Sequence, residues 1–590
     1  MPRTFIEKVF DAPEGAIVFR KPDLVLSHDN SSSIRSTFEQ MGGKKLFDPE
    51  RLVVVLDHNA PPTTSALANS YKTIREFVLE QGVKKFHDVG EGICHQLMAQ
   101  YVKPGMVVVG SDSHTCTAGA FNAMAAGIDR TETAGLWLRG ETWFLVPGSL
   151  KITLTGALQK GVYAKDLSLW IIGMIGSDGA NYLSIEYHGD GVGTLTISDR
   201  MTLANLASEM GAKNAVFPPD EILFQFLGTK TEGVWADEGA KYQREISIDL
   251  GKIYPLVAAP HHVDHVMALA EVSDLEIHQG LIGTCTNGRI EDLREAASIL
   301  KGNKVKPGVQ LLVIPASRQI YLQAIEEGLI TTFLEAGANV LSASCGPCLG
   351  TGQGIPADGH RVISSANRNF LGRMGNKNAE IYLASPAAVA LSSIHGKIQD
   401  PRNIRASEKF PFRKVSSGSV AIENNERRRE QGVWDYSDCD NLNTDQMFAG
   451  NLTYKVQSTE PAEILPHLFQ GFDPRFSGEV KPGDVILGGE NFGCGSSREH
   501  PAVGLAHAGV KAVIVKSVNR IFYRSAINQG LPVMVLPDAV NAYQTGEKVE
   551  VDLGGGTVTI GEKTIPFEPL PPKLLEVLES KGLVNWILGQ

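Results

Sequence analysis

An α/β protein built from several domains is what this sequence predicts, and three observations predict it. Short apolar runs repeatedly stop at a polar cluster and give way to a helical pattern, the rhythm of strand, turn and helix. The chain has 590 residues, and domains of ~100 to 200 residues give roughly three to five units at this length. Hydrophobic residues make up 43% and charged residues 21%, a composition that buries compact cores and excludes general disorder.

Taken in order, Val53–Leu56 runs into Asp57 and His58, and Met106–Val109 runs into Asp112, Ser113 and His114. In open α/β sheets that strand end is where ligands bind. Met201–Gly211 reads as a helix opened by Ser198 or Asp199, with Asn205 and Glu209 four residues apart on one face. The stretch 401–432, rich in Pro, Arg, Asn and Glu and without apolar periodicity, reads as an interdomain linker. Beyond it, 433–590 reads as a separate domain with glycine-punctuated strands at Ala512–Val515 and Val549–Leu553 and a terminal helix from Pro572. No repeat of fixed period and no low-complexity tract is visible.

A formal charge of -11 and a pI near 5.8 repel nucleic-acid phosphate over most of the surface, while a local basic pocket for small anions remains compatible with them. Residues 1–10 carry neither an apolar signal core nor an Arg/Ser-rich amphipathic stretch, and no apolar run approaches the ~18 residues of a membrane span. A cytoplasmic location with no membrane partner is the expectation. Seven cysteines, an odd number in a long chain, are too few for a secreted disulfide framework and leave some as candidates for metal or catalysis.

Cys345 and Cys348 form a Cys-Gly-Pro-Cys turn, and Cys285 sits in Gly-Thr-Cys-Thr-Asn after an apolar run. Two turns thus supply three thiolates and no obvious fourth. A structural zinc site and an electron-transfer cubane each want four protein ligands. Three thiolates suit a cluster with one open iron, which can act as a Lewis acid on a substrate hydroxyl. Taken alone the Cys-x-x-Cys pair is equally compatible with zinc or redox roles.

The wider pattern is more specific. Gly283–Asn287, Cys345–Cys348 and the run Ser365-Ala-Asn367-Arg368-Asn369-Phe-Leu-Gly-Arg373 resemble, in order, the signatures of the aconitase superfamily. Asp57-His58, Cys94-His95-Gln96, Asp112–Thr115, Glu186–Gly189 and Asn205–Glu209 resemble the first two domains of that family, and Gly493–His500 resembles the loop of its mobile fourth domain. Almost the whole chain is covered. The resemblance implies an aconitase-like fold of three α/β/α domains, expected at 1–200, 201–280 and 281–400, followed by the linker and a swivelling β/β/α domain at 433–590. It also implies that the large and small subunits of the isopropylmalate-isomerase type are fused here, so that no separate small subunit is needed.

Residue by residue, the resemblance implies that Cys285, Cys345 and Cys348 ligate a [4Fe-4S] cluster. Ser496 would take the carbon-bound proton, its alkoxide stabilised by Arg498 and the surrounding amides. His58, oriented by Asp57, would protonate the departing hydroxyl, and His95 with Asp112 and His114 with Glu209 would form further carboxylate–imidazole pairs. Ser497, Arg498, Arg368, Arg373, Ser113, Asn205 and Asn367 would contact substrate, the arginines through planar forks that suit carboxylates. Each piece has a bland counterpart: an Asp-His dipeptide is a common helix cap, Ser-Ser in a glycine-rich turn a common anion nest, and Asn205 with Glu209 an exposed helix face. Their co-occurrence in order is what favours function. Cys94, Cys116, Cys439 and Cys494 are read as small buried or turn residues.

In two places the chain departs from the family. The loop that distinguishes substrates reads Gly450-Asn-Leu-Thr-Tyr454-Lys455, and Tyr454 stands at the discriminating position where relatives carry an arginine or an apolar residue. Lys455 beside it offers a flexible point charge. Ser31-Ser32-Ser33 stands where relatives often carry a substrate-binding glutamine. The resulting expectation is a hydro-lyase acting on a 2-hydroxy di- or tricarboxylic acid, with 3-isopropylmalate first and aconitate or homoaconitate second. A regulator that binds RNA in its apo form is the alternative of a different class, and the acidic balance argues against it.

Overall fold

The computed structural model describes residues 1–402, 428–453, 456, 459–496 and 498–589. The first domain is a five-stranded parallel sheet in the order Lys85–His87, Leu52–Val55, Leu24–Ser27, Val107–Gly110, Met124–Gly127. Both faces are covered by helices, among them Ser31–Gln40, Ser65–Gln81 and Arg130–Arg139, so strands such as Leu-Val-Val-Val are buried along their whole length.

The second sheet has four parallel strands, ordered Asn214–Val216, Ser184–His188, Ser149–Thr155, Arg244–Asp249. Its strands fall on both sides of the boundary expected at 200. The third sheet opens at Leu256–Ala258, well before the boundary expected at 280, and runs to Glu380–Leu383 in seven strands. The strands of the second sheet therefore span 149–249 and lie across both the first and the second sequence-based outlines, with crossover helices such as Ala164–Ile175 and Ile197–Leu206 between the parallel strands. No linker-like composition marks these crossings.

Helix Ile197–Leu206 is also opened differently. Thr196 is its cap, its hydroxyl accepting from the Asp199 backbone and Asp199 answering in a capping box. It ends at Leu206, and Glu209 follows in a short 3-10 turn, Ala207–Met210.

Most of the expected linker, residues 403–427, lies outside the described residues. Arg429–Glu430 already pairs with Val433–Tyr436, so the fourth sheet begins inside that segment. The sheet continues in parallel through Val485–Gly488, Ala512–Val515 and Val533–Val535, and an antiparallel meander, Val549–Asp552, Thr557–Ile560, Lys563–Pro566, packs beside it.

This C-terminal domain is docked on the first domain through helix Arg520–Asn528, which packs on helix Arg130–Arg139. The contact is polar and buried. Arg524 forms an ion pair with Glu132 and stacks 3.7 Å from the Trp143 ring centroid. Asn528 donates to Asp129 at 2.7 Å, and Arg520 reaches the carbonyls of Gly127 at 3.2 Å and Ser113 at 3.4 Å. Among the described residues no helix is long and apolar enough to cross a membrane.

Candidate active site

Parallel strands of the first and third sheets aim their carboxyl ends at one cleft, and the C-terminal domain contributes residues to it. Asp57 and His58 follow strand Leu52–Val55, Asp112 follows Val107–Gly110, Cys285 follows Gln279–Gly283, and the turn from Ser365 to Arg368 follows Arg361–Ser364. The Cys345 backbone N–H donates to the Asp57 carbonyl at 3.2 Å, which ties the first domain to the third at the cleft.

The carboxylate–imidazole pairs form as the sequence suggests. His58 Nδ1 lies 2.7 Å from Asp57 Oδ1, and its Nε2 faces Asp112 at 3.4 Å. His95 Nε2 is 2.8 Å from Asp112 Oδ1, and His114 Nε2 is 2.9 Å from Glu209 Oε1. Burial works against charge on His58, Asp112 and Glu209, but the surroundings outweigh it. With Cys345 as its thiolate, that charge, the Asp57 carboxylate and the contact with Asp112 hold the His58 imidazole well above its usual range. Hydrogen bonds from His114, His58 and His95 hold Asp112 well below the usual carboxylate range. Glu209 is held down at about 2 despite its burial, by Arg368 and His114.

Cys285, Cys345 and Cys348 are free, buried and line the same cavity. Burial pushes the Cys285 thiol up to about 12 and Cys345 well above the ordinary thiol range, so a bound cation is needed if these two are to be thiolates. Donors face the sulfurs as well: Asn205 Nδ2 at 3.4 Å and Asn367 Nδ2 at 3.5 Å from Cys285 Sγ, and Arg373 Nη2 at 3.6 Å from Cys348 Sγ. Amide and guanidinium hydrogen bonds of this kind stabilise cluster sulfur. The donor set fits an iron–sulfur cluster.

From the C-terminal domain, Ser496 and Arg498 enter the cleft. Arg498 Nε donates to Ser496 Oγ at 2.6 Å, its Nη1 to the Phe448 carbonyl at 2.8 Å, and its Nη2 to Asp445. The loop is further pinned by the Ser496 N–H, which donates to Thr444 Oγ1 at 3.0 Å. Asp445 thereby acquires a structural task that its Asn-Leu-Asn-Thr-Asp motif does not announce.

Of the residues singled out in the sequence, His58, His95, Asp112, Ser113, His114, Asn367, Arg368, Arg373, Ser496, Arg498 and the three cysteines line the cavity. Asp57, Asn205 and Glu209 stand behind it, Asn205 supporting Cys285 instead of facing the opening. Ser497, Tyr454 and Lys455 lie outside the described residues. Glu186–Gly189, though part of the matching pattern, is remote from the cleft: buried Glu186 accepts from the Phe5 N–H at 2.9 Å and from the Tyr242 hydroxyl at 3.0 Å, anchoring the N-terminal helix.

Three participants carry no signal in the sequence. His28 stacks on His58 with centroids 4.0 Å apart and is pushed down to about 3 by burial and by the neighbouring positive charges. Fully buried Lys165 donates to the Ser365 and Ala366 carbonyls, holding the turn that presents Asn367 and Arg368. Arg130, which opens helix Arg130–Arg139, also lines the cavity. Each follows an unremarkable local pattern and gains its place only through long-range packing.

Residues 5–396 match the model of the aconitase family (aconitate hydratase), and residues 437–538 match that of the aconitase C-terminal domain. The chain is 44% identical over 415 residues to the large subunit 1 of a 3-isopropylmalate dehydratase from Methanopyrus kandleri, covering 68% of this chain and 99% of that one. It is 46% identical over 389 residues to a probable methanogen homoaconitase large subunit from Methanosarcina mazei, covering 65% and 99%. A solved structure of a 3-isopropylmalate dehydratase from Methanocaldococcus jannaschii shares 38% identity over 26% of this chain and 89% of its own, with a TM-score of 0.24.

Proposed function

Because the chain belongs to the aconitase family, a family of hydro-lyases, we propose that it moves a hydroxyl group between adjacent carbons of a 2-hydroxy di- or tricarboxylic acid at a [4Fe-4S] cluster. The observation that carries this reading is the trio of free, buried cysteines facing the same cavity as Ser496 and four arginines. Cys285, Cys345 and Cys348 would hold the cluster, whose iron without a protein ligand would supply Lewis-acid polarisation of the carbon–oxygen bond.

The side chains then divide the remaining work. Ser496 takes the carbon-bound proton, and the Arg498 guanidinium, already 2.6 Å from its oxygen, stabilises the alkoxide. Arg498 also meets a substrate carboxylate, with Ser497 beside it. His58, held by Asp57 and Asp112, donates a proton to the leaving hydroxyl. His95 and His114 keep their tautomers through Asp112 and Glu209 and order water in the cleft. Arg368, Arg373, Ser113 and Asn367 orient the substrate, while Asn205 steadies Cys285 from behind.

The named relatives span the substrate range: 3-isopropylmalate dehydratase and homoaconitase large subunits. Those large subunits match about two thirds of this chain, and the C-terminal-domain match follows in the same polypeptide. We therefore read the chain as self-sufficient, with Ser496 supplied in cis.

Anaerobic reconstitution tests the reading. Iron and sulfide should each bind at about four per chain with cluster absorbance in the visible, and activity should appear on a panel of hydroxy acids. A fully active, iron-free preparation would end it.

A further inference from the structure

The cysteine sulfurs and the proposed base belong to different domains. Cys285, Cys345 and Cys348 sit on the third, which is tied to the first where the Cys345 N–H meets the Asp57 carbonyl. Ser496 comes from the C-terminal domain. Their separation is therefore set by how the Ser496 loop seats on the first domain. Proton transfer tolerates little error there, since a misplacement of ~1 Å can cost about a hundredfold in rate.

Three consecutive side chains of that loop have different anchors. Arg498 is held within its own domain by the Phe448 carbonyl and Asp445. His500 is held there too, its Nε2 meeting the Val456 carbonyl at 3.0 Å and its ring stacking on Phe448 with centroids 4.7 Å apart. Glu499, between them, is 1% exposed and crosses to the first domain. Its Oε2 accepts from the Thr131 N–H at 3.1 Å and from the Thr131 hydroxyl at 2.8 Å. Glu499 does not itself line the cavity.

Thr131 is prepared to receive this carboxylate. It is the second residue of helix Arg130–Arg139, whose cap Asp129 takes the Glu132 N–H at 2.7 Å. That leaves the Thr131 N–H, at the positive end of the helix, for another acceptor. Gln529 Nε2 donates to Thr131 Oγ1 at 2.9 Å, so the single hydroxyl proton is directed to Glu499. Gln529 directly follows helix Arg520–Asn528, whose Asn528 donates to Asp129 at 2.7 Å. Two elements of the C-terminal domain, the Ser496 loop and this helix, thus close on the same helix start of the first domain.

We infer that Glu499 is a positioning residue: docked on Thr131, it sets where the Ser496 oxygen stands relative to the cysteine sulfurs. This rests on the hydro-lyase reading above, in which Ser496 is the base, and deepens it. A buried carboxylate with two donors makes a strong and directional seat, and its place beside Arg498 in the chain passes that seat on to Ser496, whose Oγ the Arg498 guanidinium holds at 2.6 Å.

The reconstituted full chain is assayed with turnover expressed per cluster. Thr131→Val keeps the N–H and deletes the hydroxyl, and kcat should fall about fivefold. Thr131→Ser should restore wild-type turnover. Glu499→Gln should lower kcat by about ten- to a hundredfold, with iron and sulfide content unchanged. In a Ser496→Ala background the same Glu499→Gln change should alter kcat by less than about threefold, since no base remains to be misplaced. A general weakening of the fold would lower kcat by the same factor in either background. Turnover within about twofold of wild type in Thr131→Val and Glu499→Gln, or a Glu499→Gln loss that is undiminished in the Ser496→Ala background, overturns the assignment and leaves the hydro-lyase reading intact. A holoenzyme inert to every hydroxy acid defeats that reading instead. Hydrogen exchange on the full chain then decides the seat: peptides from 129–139 and from 490–500 should exchange faster together in Glu499→Gln, and unchanged exchange overturns it.

Discussion

Replacing Ser496 by alanine tests the proton-transfer step proposed for it. Arg498 is anchored by the Phe448 carbonyl and by Asp445 as well as by Ser496 Oγ, and the loop is pinned through the Ser496 backbone and Thr444. Deleting the hydroxyl therefore removes one 2.6 Å hydrogen bond and leaves the scaffold that presents Arg498 to a carboxylate. Loss of a general base is expected to lower kcat by about 10²- to 10⁴-fold, with KM held within about threefold because ground-state contacts survive. Arg498→Lys should behave differently. A lysine cannot satisfy three acceptors in one plane, so both the alkoxide and the loop lose support and kcat falls while KM rises. Steady-state assays on reconstituted, iron-quantified protein separate the two patterns. A Ser496→Ala enzyme within tenfold of wild-type kcat would refute the assignment of the base.

Three further outcomes follow from particular contacts. Cys348→Ser should abolish stoichiometric iron binding and the visible absorbance on reconstitution, measured by metal analysis and spectroscopy. Arg524→Met leaves Glu132 buried without its cation, a change that costs about 3 to 5 kcal/mol; the urea midpoint should drop, with Trp143, on which the guanidinium stacks, reporting the loss by fluorescence. Asp129 is raised to about 8 by burial and by Glu499 and Glu132. Its folded-state pKa lies above its unfolded one, so its contribution to stability is full below about pH 4 and is lost as pH rises through 8. Asp129→Asn keeps the helix cap and should gain stability over wild type increasingly between pH 5 and 8 in urea titrations; a constant difference across that range would refute this origin.

Much of the site is legible in the sequence because its parts sit at strand ends. Asp57-His58 and Asp112–His114 each follow a β-branched run, and the two cysteine turns announce their sulfurs directly. What escapes is whatever depends on packing between domains. Arg130, His28 and Lys165 stand in local patterns shared by ordinary helix starts and turns, and only the folded chain brings them to the cleft. The limits of the second domain escape for a related reason: a parallel sheet draws strands from Ser149 to Asp249, and no Pro- or Gly-rich stretch marks where it begins. Asn205 and Glu209 were expected on one helical face. The helix stops at Leu206, so the two side chains diverge, one to Cys285 and the other to His114 and Arg368.

The covalent continuity between the cysteine-bearing domains and the loop of Ser496 has a kinetic consequence. A base delivered by a separate polypeptide is present only to the extent that the two chains associate, and specific activity then falls on dilution. Tethering replaces that bimolecular equilibrium with an effective concentration that does not change on dilution. Turnover per mole of this protein should accordingly stay constant down to concentrations at which a two-chain enzyme would have dissociated, and production of the two halves in unequal amounts ceases to matter.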